Sequence, residues 1–250
     1  MAELTRRSFN TQTVASLLTF SLLDTLLVRR AFSTEIEPLI ARWLKQVNDL
    51  GLDLKGKALP AVQWQQQVEE LFGKCELSEL LRFIDFDKLT ANISFRDQGE
   101  VSLRATIPSV EGLPTNLVFG HQVFALKKDR SVVPHGHENM ATAFLVLRGR
   151  FHGRHFDRLE DAPEHMIIRP TIDRAFGAGE HSSISDEKDN VHWFKATSES
   201  AFIFNIHVNG LVANRRTGRV YIDPQGGEKL SDGRIKARKI GSDEVYRKYG

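Results

Sequence analysis

The hydrophobic positions follow two regimes that change over near Asn92. Before it the spacing is helical. Thr34-Glu35-Ile36-Glu37 reads as a capping box, with Thr34 as N-cap and Glu37 reaching back to its amide. Behind it Ile36, Leu39, Ile40, Trp43, Leu44, Val47 and Leu50 form one apolar stripe, and Gly51 is placed to end the helix. A second helix is expected after Pro60, with Ala61, Trp64, Val68, Leu71, Phe72 and Cys75 on one face. A third is expected from about Ser78, with Leu80, Leu81 and Ile84 turned inward. Three amphipathic helices over residues 34–91 need a surface on which to bury their stripes.

Beyond Asn92 short β-rich runs replace that pattern: Val101–Ile107, Leu117–Leu126, Ala143–Leu147, Met166–Ile172, Val191–Ala196, Ala201–Val208 and Arg219–Ile222. Turn residues separate them at short intervals and no helical period intervenes. The expected class is mainly β, a sandwich or jelly-roll barrel over residues 92–250 preceded by the small helical segment. Residues 226–250 are polar and highly charged, and are expected to wrap the outside as a tail.

Composition narrows the picture without redirecting it. Hydrophobic residues make up 41% and charged residues 26%, as in an ordinary globular protein. The net charge of +2 is carried by residues 1–33, where Arg6, Arg7, Arg29 and Arg30 outnumber Glu3 and Asp24. The remainder is balanced, which gives no electrostatic basis for a nucleic-acid partner. Cys75 is the one cysteine, so no intramolecular disulfide can form, and a multi-cysteine metal site is excluded. On the second helix's apolar stripe it reads as a small buried hydrophobe.

The first thirty-three residues read as an address. Thr5-Arg6-Arg7-Ser8-Phe9 precedes a weakly apolar run from Val14 to Val28, broken by Ser, Thr and Asp24. It contains no uninterrupted span long enough for a stable membrane helix. The paired arginine resembles a twin-arginine export signal over residues 1–33, with Ala31-Phe32-Ser33 as a small-x-small cleavage site. That reading implies export of an already folded protein to the periplasm or beyond. The alternative is a basic amphipathic helix that stays on, leaving the protein cytoplasmic.

Chemistry concentrates in the histidines. Of nine, eight lie between His135 and His207. His135-Gly136-His137 is the informative pair, because residues i and i+2 of a strand face the same way, so both imidazoles can reach one metal ion. His192 lies in a second block, Asp189-Asn190-Val191-His192-Trp193-Phe194-Lys195-Ala196. Residues 115–225 resemble the cupin family, whose first motif carries His-x-His and a later hairpin glycine, here Gly149, and whose second motif supplies another histidine. Thr142 stands where the cupin glutamate would be, and Glu138, one residue from His137, faces the other side.

A barrel with three histidines and no glutamate resembles the thiol dioxygenases, in particular the plant cysteine oxidase and cysteamine dioxygenase branch. The similar strings are His135 to Met140, Val146 to Gly149 with His152 and Asp157 following, and Asn190 to Ala196. That resemblance implies Fe(2+), or another divalent metal, held by His135, His137 and His192, with a small thiol or chelating molecule and dioxygen as reactants. The sequence departs from the branch at Asn205, where an aspartate is usual, and at Val208-Asn209-Gly210, where Pro-Pro-Tyr is usual. Two other readings stand beside it. One is a cupin enzyme of different chemistry (isomerase, lyase or other dioxygenase), and the other a non-catalytic ligand-binding cupin.

Other residues receive subordinate roles. Met140, Thr142, Asn205 and His207 are candidates to line the substrate pocket, and His181, after Gly177-Ala178-Gly179-Glu180, is the alternative third ligand. His152 and His155 could support the site by hydrogen bonds. Arg148, Arg154 and Arg169 are candidates for a substrate carboxylate, and His121 and His165 read as surface or core residues.

Overall fold

In a computed structural model, residues 39–250 are described. The expected export signal over 1–33 and the Thr34 cap lie outside them. Four helices come first: α1 Leu39–Lys55, α2 Ala61–Phe72, α3 Leu77–Phe83 and α4 Phe86–Thr90. Gly51 does not stop α1. It is buried within it, where a Cβ would stand 2.6 Å from Val118 Cγ1, so the glycine serves close packing. Cys75 lies just past α2, half-buried against the helical core, and burial pushes its thiol up to about 12. None of the described helices is long and apolar enough to cross a membrane.

Eleven strands follow: β1 Val101–Leu103, β2 Gly120–Lys127, β3 Ser131–Glu138, β4 Met140–Arg148, β5 Arg150–Asp161, β6 His165–Gly177, β7 His181–Ile184, β8 Val191–Ala196, β9 Ser200–Asn209, β10 Gly218–Lys229 and β11 Ile235–Lys239. They form two sheets. One has five strands in the order β1-β2-β9-β4-β7, and the other closes on itself as β10-β11-β6-β5-β8-β3. The architecture is therefore mainly β, with a barrel and a small helical layer, as the pattern predicts.

Period-two alternation explains the layers. On β4, Ala141, Ala143, Leu145 and Leu147 pack with the helices, while Phe144 and Val146 face the other sheet. On β9, Phe202, Phe204, Ile206 and Val208 face the helices, while Ala201 and Ile203 face inward. β4 and β9 are thus buried on both faces, and α2 is also pinned to β7 by Gln65 Nε2 donating to the Ser183 carbonyl at 3.1 Å.

Gly149 makes the β4–β5 hairpin with φ +82°, a conformation that favours glycine. The stretch 226–250 is not an outer tail. It completes β10, supplies β11 between β10 and β6, and ends in α5, Ser242–Tyr249. Val245 and Tyr249 of α5 pack on Val133 and Trp193.

Candidate metal centre

Strand register brings the histidines together. On β3, His135 is directly opposite His192 of β8, and His192 is in turn opposite His155 of β5. Residues directly opposite share a face, so the three form a row across the inner wall, with His137 two residues along β3 on the same side. His135, His137 and His192 are all buried, and each offers one ligand atom within 4.8 Å of the other two. His135 Nε2 and His137 Nε2 are 3.2 Å apart. Two nitrogens bound to one ion at about 2.0–2.1 Å, with angles between octahedral and tetrahedral, stand roughly 2.9–3.4 Å apart.

The protonation pattern suits a cation. His135 Nδ1 lies 2.7 Å from the Val133 carbonyl, which can only accept, so the proton sits on Nδ1 and the Nε2 lone pair faces the cluster. Burial, reinforced by the Arg219 charge, lowers the His135 pKa to about 3. Burial and the neighbouring imidazoles hold His137 and His192 well below their ordinary value. Nδ1 of His137 and Nδ1 of His192 are buried with no hydrogen-bond partner among the described residues. Three neutral, buried, converging imidazoles are a donor set for a divalent ion; with Nε2 of His137 turned toward Nε2 of His135, the unpartnered Nδ1 of His137 is not the atom that would meet the ion.

A second layer fixes the geometry. Asn190 Nδ2 donates to the His137 carbonyl at 2.9 Å and to the Ser185 carbonyl at 3.0 Å, while its Oδ1 accepts from the His137 amide at 3.2 Å. That side chain crosses behind Gly136, where a Cβ would stand 2.7 Å from Asn190 Oδ1. The glycine between the two histidines and the asparagine two residues before His192 are therefore one device. His155 is fully buried behind His192, with Nε2 3.4 Å from Ser182 Oγ. Burial lowers its pKa to about 3.

The cluster lines a cavity of about 200 Å³. Its buried floor includes Phe124, Val132 and Phe144, and Phe144's ring lies 5.0 Å from His192. Met140, Thr142, Asn205 and His207 all line it, as does Gln122, whose Nε2 donates to Asn205 Oδ1 at 3.3 Å. Asn209 and Arg219 stand exposed at its rim. Among the described residues its lining includes neither Asp nor Glu, and Thr142 occupies the wall with its hydroxyl buried and unpartnered.

Several expected participants are elsewhere. His181 is opposite Leu145, which faces the helices, so it points away from the cavity; its ring meets Phe72 at 6.3 Å. It is not in the cluster. His152 pairs with Asp173 on the surface. His121 bonds the Ala105 carbonyl at 3.0 Å, on the helical side. Arg148, Arg154 and Arg169 are held by Asp87, Asp173 and Asp157 respectively, and none lines the cavity. Arg219 does, and sequence reasoning missed it. Only the β3–β10 register, which sets Arg219 opposite His137, reveals it.

No family model matches the chain, and no curated protein matches it. Among solved structures it is similar to procruciferin, an 11S globulin from Brassica napus, at 16% identity over 41% of this chain, with a TM-score of 0.32. It is similar to pumpkin seed globulin at 14% identity over 40% of this chain, TM-score 0.31. The matched segment spans 22% of the length of each globulin. An uncharacterised protein with a double-stranded β-helix domain from Klebsiella pneumoniae matches at 11% identity over 52% of this chain and 86% of its own, TM-score 0.34. At these scores the fold assignment rests on the strand order itself.

Proposed function

We propose that this protein is a metal-dependent oxygenase that holds divalent iron on His135, His137 and His192 and oxidises a small thiol or similar chelating molecule with dioxygen. The observation that carries this reading is a converging, neutral, all-imidazole cluster in a cavity whose lining, among the described residues, holds no carboxylate. Iron bound there would supply the redox chemistry, bringing substrate and dioxygen together and relaying electrons between them. For a thiol the reaction balances as RSH plus O₂ giving RSO₂H.

The chain's own residues bind, orient and exclude water. Val133 fixes the tautomer of His135, and Asn190 holds the strand that presents His137. Three neutral ligands leave the metal's charge uncompensated, so an anionic sulfur is favoured where a carboxylate ligand would compete with it. Phe124, Val132 and Phe144 keep one side of the cavity dry, while Gln122, Asn205 and His207 give hydrogen bonds on the other. That uncharged polar wall, with Asn205 in place of an aspartate, also favours a second reading: a cupin enzyme acting on a neutral polar chelator.

The test joins metal content to oxygen uptake. Purified protein should carry one iron per chain, and alanine at His135, His137 or His192 should remove it, while His181→Ala keeps it. Iron-loaded protein should consume oxygen only when cysteine, cysteamine or mercaptopropionate is present. Full iron without thiol-dependent uptake defeats the thiol assignment and leaves the second reading, whereas full metal in His192→Ala defeats the site.

A further inference from the structure

We propose that Gln65 of α2 is a positioning residue for the metal centre, holding His137 in place through Ser185 and Asn190. The inference rests on the metal-centre reading for what His137 binds, while the link between the four residues stands on its own hydrogen bonds. Gln65 lies on the buried stripe of α2 beside Ala61, Trp64, Val68 and Phe72. A leucine there would dock the helix with no polar atom to satisfy, whereas a buried amide is costly unless both its ends are bonded. Here both ends are bonded. Nε2 donates to the Ser183 carbonyl at 3.1 Å, and Oε1 accepts from Ser185 Oγ at 2.7 Å.

The connection runs from there to the ligand. Ser185 is fully buried, and its Oγ also accepts from the amides of Glu187 at 3.1 Å and Lys188 at 3.3 Å, which shapes the turn before β8. Its carbonyl accepts one N–H of Asn190 Nδ2 at 3.0 Å. The other N–H of that amide goes to the His137 carbonyl, and Oδ1 takes the His137 amide. The β3–β8 pairing ends with Gly136 opposite Val191, so the Asn190 side chain stands in for the strand neighbour that His137 lacks on that side. Rotation of the Asn190 amide would displace His137. What opposes rotation is the Ser185 carbonyl, on a residue held in turn by Gln65. All four residues are buried, where solvent weakens such bonds little. A helix outside residues 115–225, the region that resembles the cupins, therefore reaches the centre in three hydrogen-bonded steps.

The experiment uses the purified full chain and two readouts: Co²⁺ affinity from titration of its visible absorption, and exchange of the His137 amide by NMR in metal-free protein. Gln65→Met keeps the side chain's length without its hydrogen bonds. Ser185→Ala cuts the same link from the other end, should the first variant fail to fold. Each should weaken Co²⁺ binding about 10-fold, alter the absorption of the bound ion and speed His137 exchange about 10-fold. Gln65→Glu, which keeps an oxygen for Ser185 Oγ, should recover part of the loss. Ser183→Ala is the control. It removes a bond of 2.6 Å to Glu69 that also docks α2 but does not lead to His137, and should leave both readouts at wild-type values. Unchanged readouts in Gln65→Met and Ser185→Ala overturn the proposal, as does an equal loss in Ser183→Ala, which would reduce Gln65 to helix docking. If the wild type binds no Co²⁺, the metal reading alone fails and His137 exchange decides the link.

Discussion

The interior between the two sheets has two halves built by the same alternation and opposite in character. In one, Phe151, Phe176 and Phe194 are fully buried together with Phe144, Val146 and Ile203, and their rings meet edge-on or tilted at 5.1–6.3 Å. In the other, the same strands present His135, His137, His192, Thr142 and Asn205 to a cavity. The apolar half is complete in itself. The polar half contains imidazole nitrogens and a hydroxyl with no partner among the described residues, and an unpaired arginine stands at its mouth. Stability resides where the interior satisfies itself, and chemistry where it needs something from outside.

Phe151→Ala should produce the largest change in stability and almost none at the cavity. Deleting a fully buried ring costs about 3–5 kcal/mol, which urea unfolding would read as a lower midpoint. Metal stoichiometry in the fraction still folded should match the wild type; a parallel loss of metal would show that the two halves are not separable.

Asn190→Ala should act the other way. It removes three hydrogen bonds that tie His137, Ser185 and the His192 strand, a loss of about 1–3 kcal/mol. Chelator competition should show metal affinity falling about 10–100-fold, because ligand orientation is lost. An unchanged affinity would mean that Gly136 and Asn190 serve the strand alone.

The pH dependence separates the buried histidines from the rest of the cavity. His135 and His155 have folded pKa values of about 3 against an ordinary 6.5, so the folded state stays neutral while the unfolded chain protonates. Stability is therefore full above about pH 6.5 and falls as pH drops from there toward 3. Each such histidine contributes up to about 1.4 kcal/mol per pH unit in that window. His155→Gln should flatten the slope of urea stability between pH 6.5 and 5 by one proton's worth, measured on metal-free protein. An unaltered slope would mean that His155 is not held neutral.

The sequence made the apolar strands legible because residues such as Ala143–Leu147 are buried on both faces. It hid β5, whose inward positions are Phe151, Gly153 and His155 between charged outer ones, so its hydrophobic alternation is faint. It obscured β3, which carries Pro134 near a register shift, and β11, whose Ile235-Lys236-Ala237-Arg238-Lys239 looks like a solvated tail. Gly51 was misleading because a glycine that ends a helix and one that lets a helix pack closely look alike in one dimension. The His135 and His137 pair could be read from strand spacing, and His192 joined it only through the resemblance to the second cupin motif. Arg219 could not, because its relation to His137 exists only through pairing between strands far apart in the chain.

Strand β10 serves two neighbours in turn. Gly218–Tyr221 pair with β3, and beyond Ile222 the strand pairs with β11, with a register shift between Asp223 and Glu228. During synthesis this imposes an order. Until β10 emerges, β3 is an open edge, and it is the strand that bears His135 and His137. Open edges recruit other chains, and pairings between distant segments form slowly. The nascent protein thus passes through a stage in which His135 and His137 lie on a strand open on one side, and β10, which closes it, comes late in the chain.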